Sequence, residues 1–446
     1  MTGASVGSGA AIRIVPVTTR AQLRDFLALP ARLARSRGAA HWVPLFASDV
    51  RRWWRHGGPY PGGDCALYLA LRGSAVVGRT TVHTAPRLAA KLRAERQCTD
   101  DFLFFGATEF ADAAVGAALF GFLEEVARRG VGTEERDGTP AAAPTASGAD
   151  RRTARPSRTV RLFGPVSLLP NMTGGVVTTG FEHPGFFDAV WNDEATAATF
   201  TDAGFTPWGG GRTWEVDIAG IPADRRTPPT RDELARAGVR VFSPWHKVVG
   251  PSRQPVGEAA AVRTRNALRA IHRTMNRAFA ALPYYTRIDE AQWREQTAGL
   301  GLVMDPALVV LAARAGAGDH AARAQLPGCD SFALVIPDPI GGLRSSGGRL
   351  DLRAARELLG PLLRRRPRDA VLIIQGTDPE AQGRGLLSIV TRQLFAALHA
   401  RRYRRLRVTF IAEDNPASSA VFERAGGYPL HTVRFFEKAV RLEGDA

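Results

Sequence analysis

Val371-Leu372-Ile373-Ile374-Gln375-Gly376-Thr377-Asp378-Pro379-Glu380-Ala381-Gln382-Gly383-Arg384-Gly385-Leu386-Leu387 is the stretch on which the reading of this chain turns. A buried strand ends, a short loop turns, and two glycines lead into an amphipathic helix over residues 385–401. Leu387, Val390, Leu394 and Leu398 face inward on that helix. Glycine lets backbone N–H groups come close to a ligand. The first turn of a helix adds unpaired donors and the positive end of its dipole. Together these make an anion site of a size that suits a pyrophosphate. Arg384 can add a charge-assisted bond. Taken alone, Gly383-Arg384-Gly385 is an ordinary strand–turn–helix connection, so the weight falls on its surroundings.

Downstream, the pattern predicts a strand over 406–411, a helix over 416–425 and a strand over 430–437. Upstream lie a strand at 239–242 and a long helix over 258–282, then strands at 308–313, 331–336 and 370–374. His272 falls on the apolar stripe of the long helix and reads as a packed core histidine. The first half has a matching order. Strands at 12–17, 66–71, 74–82, 159–163 and 212–218 alternate with helices that begin near Thr19, Ala111 and Glu194. Pro30 is expected to interrupt the first of these helices. Trp53 and Trp54 read as a partly buried helix face. Both halves thus repeat one unit, giving an α/β (α+β) chain of two tandem domains, each a mixed, mostly antiparallel sheet flanked by helices. The expected limits are 12–218 and 232–440, joined by a proline-rich linker at 219–231. Residues 132–157 have almost no large apolar side chain and read as a disordered insertion.

The whole composition agrees with two domains. A length of 446 residues with 45% apolar and 23% charged content is that of a globular protein. No apolar run reaches the roughly 18–20 residues that span a bilayer, and the N-terminal segment lacks the order of a signal peptide. A cytoplasmic protein is expected. Cys65, Cys98 and Cys329 are far apart without CxxC spacing, which argues against a zinc site or a disulfide framework and for structural thiols. The net charge of +16 is large, but it is scattered and carried almost wholly by arginine. It reads as compositional bias, and nucleic acid is not expected as a partner.

The loop and its flanks resemble the GNAT acyltransferase superfamily. Gln382-Gly383-Arg384-Gly385-Leu386 matches that family's Q/R-x-x-G-x-G/A signature. Glu413-Asp414-Asn415 through Phe422 to Gly426 is similar to its second motif, N-x-x-A-x-x-x-Y-x-x-x-G-F. The whole chain also resembles a little-characterised group of bacterial tandem GNAT proteins, through His41-Trp42-Val43-Pro44, Phe104-Phe105-Gly106, Gly164-Pro165-Val166 and Phe436-Glu437-Lys438. The resemblance implies an acyl-CoA-dependent N-acyltransferase that uses acetyl-CoA or another acyl-CoA and a small-molecule amine. It implies a pantetheine arm lying between the strands at 371–374 and 406–411, near Ile374 and Thr377. The pyrophosphate would sit on Gln382, Gly383, Arg384, Gly385, Leu386 and Leu387, with Asn415 beside it.

Three positions depart from the family pattern. Leu387 stands where a small residue is usual, Phe422 replaces the tyrosine acid, and Gly427 replaces a phenylalanine. Glu413 is the candidate base, at a strand end beside the cleft. Its alternative reading is capping together with Asp414 and Asn415. Tyr428 and His431 are candidate acids. The first half has no such signature; Glu109 and Asp112 stand at the phosphate position and would repel an anion. Two rivals remain from the sequence: a transferase that takes aminoacyl-tRNA or an acyl carrier protein, and a binding protein without turnover.

Overall fold

The computed structural model describes residues 11–37, 41–56, 63–129, 158–167, 174–243, 258–282, 285–297, 304–314, 328–349 and 368–442. The expected insertion at 132–157 lies outside them. The strands are β1 (Ile12–Pro16), β2 (Cys65–Arg72), β3 (Ala75–His83), β4 (Asp101–Phe110), β5 (Arg158–Gly164), β6 (Val176–Thr179) and β7 (Thr206–Asp217) in the first half. The second half has β8 (Val239–Phe242), β9 (Val309–Arg314), β10 (Ser331–Pro337), β11 (Arg368–Thr377), β12 (Tyr403–Ala412) and β13 (Tyr428–Leu442).

They form a single mixed sheet in the order β1-β2-β3-β4-β5-β13-β7-β12-β11-β10-β9-β8, with β6 also paired to β13. Two pairs are parallel, β4 with β5 and β11 with β12; the other pairs are antiparallel. The last strand of each half crosses over. β7 pairs with β12 of the second half, and β13 pairs with β5 of the first. The sequence reading made residues 212–218 a strand closing the first domain. In the structure this strand is longer, and it lies between two strands of the second half. A crossed exchange of edges leaves neither half with an open central edge.

Helices cover both faces. In the second half, the helix Leu386–Ala400 buries Val390, Leu394 and Leu398 against Val310, Val335, Leu372 and Leu406. On the opposite face, the helix Glu258–Ala278 buries Ile271 and Met275 against Val309, Leu311, Phe332 and Trp293. His272 belongs to this packing: its Nε2 lies 2.7 Å from the Ile288 carbonyl and its ring stacks on Trp293. In the first half, Val115, Leu119 and Leu123 of the helix Ala113–Arg129 meet Phe105, Leu162 and Phe200. Trp53 is buried and the Trp54 indole donates to the Val17 carbonyl at 2.6 Å.

Pro30 does not end its helix, which runs from Arg20 to Ser36. A proline there removes the N–H that would bond the Phe26 carbonyl. The buried Arg79 guanidinium supplies the bond instead, at 2.7 Å, while it stacks on the Phe26 ring and pairs with Glu109. The linker segment also has structure. It contains the short helix Ala223–Arg226, and a second short helix, Arg231–Arg236, begins at its end, started by a Thr230–Glu233 capping box and held by the Glu233–Arg392 pair. No helix among the described residues is long and apolar enough to cross a membrane.

Candidate functional site

The parallel pair β11/β12 is joined only over its first half, from Arg368–Tyr403 to Leu372–Val408. Beyond that point the strands part, and the ladder shows why. On β11, Leu334 and Val335 of β10 face Ile374 and Leu372, so Ile373 is an extra, bulged residue. On β12, the step from Val408 to Ile411 spans only Trp214 to Arg212 of β7, so an extra residue lies at Thr409–Phe410. A bulge bends its strand and sharpens the twist. Two bulges side by side turn the strands apart. The Thr409 hydroxyl closes the apex of the gap by bonding the Leu372 and Ile373 carbonyls at 3.1 and 3.2 Å.

The strand exit that follows is firmly tied. The Thr377 hydroxyl meets Ser331 at 2.9 Å, and the buried Asp378 accepts a bond from the Arg277 Nε at 2.6 Å. The Asp378 carboxylate also caps the short turn Pro379–Ala381. Gln382, Gly383, Arg384 and Gly385 are exposed, whereas Leu386 is buried against Ala381 and Val239. Gly383 and Gly385 have φ of +76° and +72°. A Cβ at either would touch nothing, so glycine is required here for the left-handed backbone and leaves the loop surface clear. Arg384 has no partner among the described residues. Leu387 continues the helix with its carbonyl taken by Thr391 at 2.7 Å.

Asn415 caps the helix Pro416–Glu423 through the Ser418 amide and lines the gap between the strands. Phe422 is fully buried in the core of the second half, where it packs with Leu394 and Val408. Gly427 has no space for a side chain, since a Cβ would lie 2.8 Å from Val216 and 2.9 Å from the Phe422 carbonyl.

The three candidate acid–base residues each have a partner in the fold. Glu413 forms an ion pair with Arg434 at 2.5 Å. Tyr428 is 46% exposed and donates to Glu215 at 2.7 Å. His431 is buried between Thr213, 2.7 Å from its Nδ1, and the ring of Phe186; burial lowers its pKa to about 4. None of the three is among the described residues lining the gap.

The gap opens into a cavity of about 270 Å³ walled by Phe187, Phe279, Trp293, Ile374, Phe410 and Phe435. A second cavity of about 210 Å³ lies in the first half, and Phe46, Asp49, Phe187 and Asp188 line both. Gly174 also lines both cavities.

Sequence reasoning missed a charged brace under the gap. Arg407 of β12 is buried and bonds Glu215 at 3.1 Å, Asp338 at 3.2 Å and Asp369 at 3.5 Å. The surrounding carboxylates, led by Asp338, raise its pKa against the opposing effect of burial. Asp338 also accepts the Phe187 amide at 3.4 Å. Arg344 bonds the carbonyls of His41, Trp42 and Gly185. The turn over Gly185–Asp188 is thus held from the second half.

The equivalent parallel pair in the first half is closed. Val166 N–H donates to the Phe105 carbonyl at 2.8 Å. A Cβ on Gly106 would lie 2.1 Å from the Val166 carbonyl oxygen, and one on Gly164 would lie 2.5 Å from that of Phe105. Main chain therefore fills the space that stands open beside β11. Glu109 is paired with Arg79, while Asp112 is paired with Arg72 and caps the helix Ala113–Arg129.

No family model and no curated protein matches the chain. Solved structures do. A tandem GNAT protein from the clavulanic acid biosynthesis pathway aligns over 96% of this chain and 99% of its own, with TM-score 0.50 and 14% identity. A GCN5-related N-acetyltransferase from Sphaerobacter thermophilus aligns over 98% of each chain, with TM-score 0.47 and 13% identity. The chain has the tandem GNAT fold, with a large, mostly antiparallel sheet flanked by helices.

Proposed function

We propose that this protein is an acyl-CoA-dependent N-acyltransferase, in the simplest case an N-acetyltransferase, that binds its donor in the second half alone and modifies a small-molecule amine. One observation carries the reading: of two parallel strand pairs in equivalent places, one is parted by paired bulges and the other is closed by main chain. Only the parted pair is followed by an exposed, left-handed glycine loop at a helix N-terminus.

In this reading the unpaired edge of β11 at Ile374 and Thr377 offers main-chain groups to the pantetheine arm, like an added strand. Gln382 to Leu387 receive the pyrophosphate on the first-turn amides, and Arg384 adds charge. Asn415 borders the arm from the turn that follows β12. The donor brings an activated thioester, and the chain's residues orient it toward the cavity and keep water away.

Calorimetry with acetyl-CoA and longer acyl-CoA tests this. Binding at micromolar affinity is expected, lost in Gly385→Asp and largely kept in Gly385→Asn, which tolerates the same backbone without the charge. No binding of any acyl-CoA would overturn the reading. A second reading, binding without turnover, is favoured by Phe422, since the core holds a phenyl ring where the family's hydroxyl acid would stand. Release of thiolate into water needs no protein acid, so turnover with any amine decides between the two.

A further inference from the structure

Among the described residues, Asp188 is the charged group on the cavity walls that has no partner. The charged residues lining the two cavities are Arg37, Asp49, Glu109 and Asp188, among those described. Arg37 pairs with Asp193 at 2.6 Å, Glu109 with Arg79 at 2.8 Å, and Asp49 with Arg52 at 3.5 Å. Tyr285, the remaining titratable wall residue, donates to Asn276 at 2.9 Å. Asp188 has neither a hydrogen bond nor an ion pair among the described residues. It lies within the protein envelope, yet part of its surface stays open to both cavities.

Its position is held firmly. Asp188 has φ +60°, a left-handed conformation that aspartate and asparagine tolerate better than most residues. Phe187 beside it packs with Val371, Leu430 and Ile373, the bulged residue at the parting of the strands. The Phe187 amide is tied to Asp338 and the Gly185 carbonyl to Arg344. A lone carboxylate facing a largely apolar space calls for a cation with an apolar body. The walls away from the donor gap, among them Pro30, Leu33, Trp42, Phe110 and Trp191, supply that apolar surface.

We infer that the acceptor is an amphipathic primary amine whose apolar body lies in the first-half cavity and whose ammonium is received and deprotonated by Asp188. This rests on the acyltransferase reading above. Asp188 takes one proton from the ammonium; the freed lone pair attacks the thioester carbonyl. The C–N bond forms and the C–S bond breaks. The thiolate keeps the electron pair and takes the second amine proton, and Asp188 returns its own proton to water. Burial raises the Asp188 pKa to about 7, where a base acts well at neutral pH.

The test uses the full chain, with phenethylamine, hexylamine and ethanolamine as probes. Calorimetry without acyl-CoA should find phenethylamine at least tenfold tighter than ethanolamine, and tighter at pH 8 than at pH 5. Asp188→Asn, which keeps the backbone conformation, should remove that pH dependence. With acetyl-CoA, Asp188→Asn should lower kcat about 100-fold or more with donor affinity unchanged, whereas Asp202→Asn, at an exposed residue away from both cavities, stays within about threefold. Equal binding of ethanolamine, or kcat within threefold in Asp188→Asn, would overturn the inference. A donor that fails to bind while the amine still binds through Asp188 would instead refute the acyltransferase reading.

Discussion

Replacing Asp188 by asparagine should stabilise the protein at neutral and alkaline pH, and the gain should vanish in acid. The Asp188 carboxyl titrates at about 7 in the fold, against an ordinary value of 3.8, because burial penalises its charged form. A group whose folded pKa is raised in this way holds its proton longer in the folded state than in the unfolded one. Stability therefore falls as pH rises from about 4 to about 7, then stays level. That difference corresponds to about 4 kcal/mol for a carboxylate denied all water. Asp188 faces a cavity that admits water, so about 2 kcal/mol is the expected loss. Asparagine fills the same space, keeps the left-handed backbone and never ionises. Urea unfolding followed by tryptophan fluorescence, at intervals from pH 4 to pH 8.5, measures the gap between variant and parent. The gap should open through neutrality to about 2 kcal/mol in favour of the variant. A gap independent of pH, or one that favours the parent at pH 8, would refute the claim that this half-buried carboxylate has no partner among the described residues.

Three other substitutions probe the framework. Arg79→Met removes the donor to the Phe26 carbonyl and the partner of Glu109, and should cost about 2–4 kcal/mol in urea unfolding. Gly106→Ala places a Cβ 2.1 Å from the Val166 carbonyl oxygen, so it should destabilise by about 1–3 kcal/mol yet leave acetyl-CoA affinity unchanged. Thr409→Val loses both bonds at the apex of the strand gap, should cost about 1 kcal/mol, and should weaken acetyl-CoA binding severalfold by calorimetry.

Local chemistry was the legible part of this chain. The strand–glycine–helix passage at 371–387 carries its own backbone requirement, and the positive φ of Gly383 and Gly385 is that requirement met. The apolar faces of the helices Leu386–Ala400 and Ala113–Arg129 follow from spacing and are buried, although Leu386 and not the expected Leu387 is the buried residue of the first turn of the former. Non-local effects were less legible. Pro30 reads as a helix stop until a guanidinium from β3, distant in sequence, takes the orphaned carbonyl. The strand expected at 212–218 reads as the end of one domain, because pairing across halves depends on which edge is free and not on local pattern. Basic residues mask the apolar spacing of the helix Pro86–Arg96, and the strand Asp101–Phe110 is buried on successive residues, so it shows no strict alternation. Asp188 sits in an unremarkable run, Gly185-Phe186-Phe187-Asp188. Its isolation comes from what surrounds it, and sequence carries no mark of a missing partner. Glu413 stood out because it follows a strand, yet Arg434 on the neighbouring β13 pairs with it.

Hydrogen–deuterium exchange with and without acetyl-CoA tests the central claim most directly, because it reports where the donor sits in each half. The account predicts protection over residues 373–387 and around Asn415, with residues 104–116 of the first half unchanged. Protection of the first-half strands, or none over 373–387 at saturating acetyl-CoA, would contradict it.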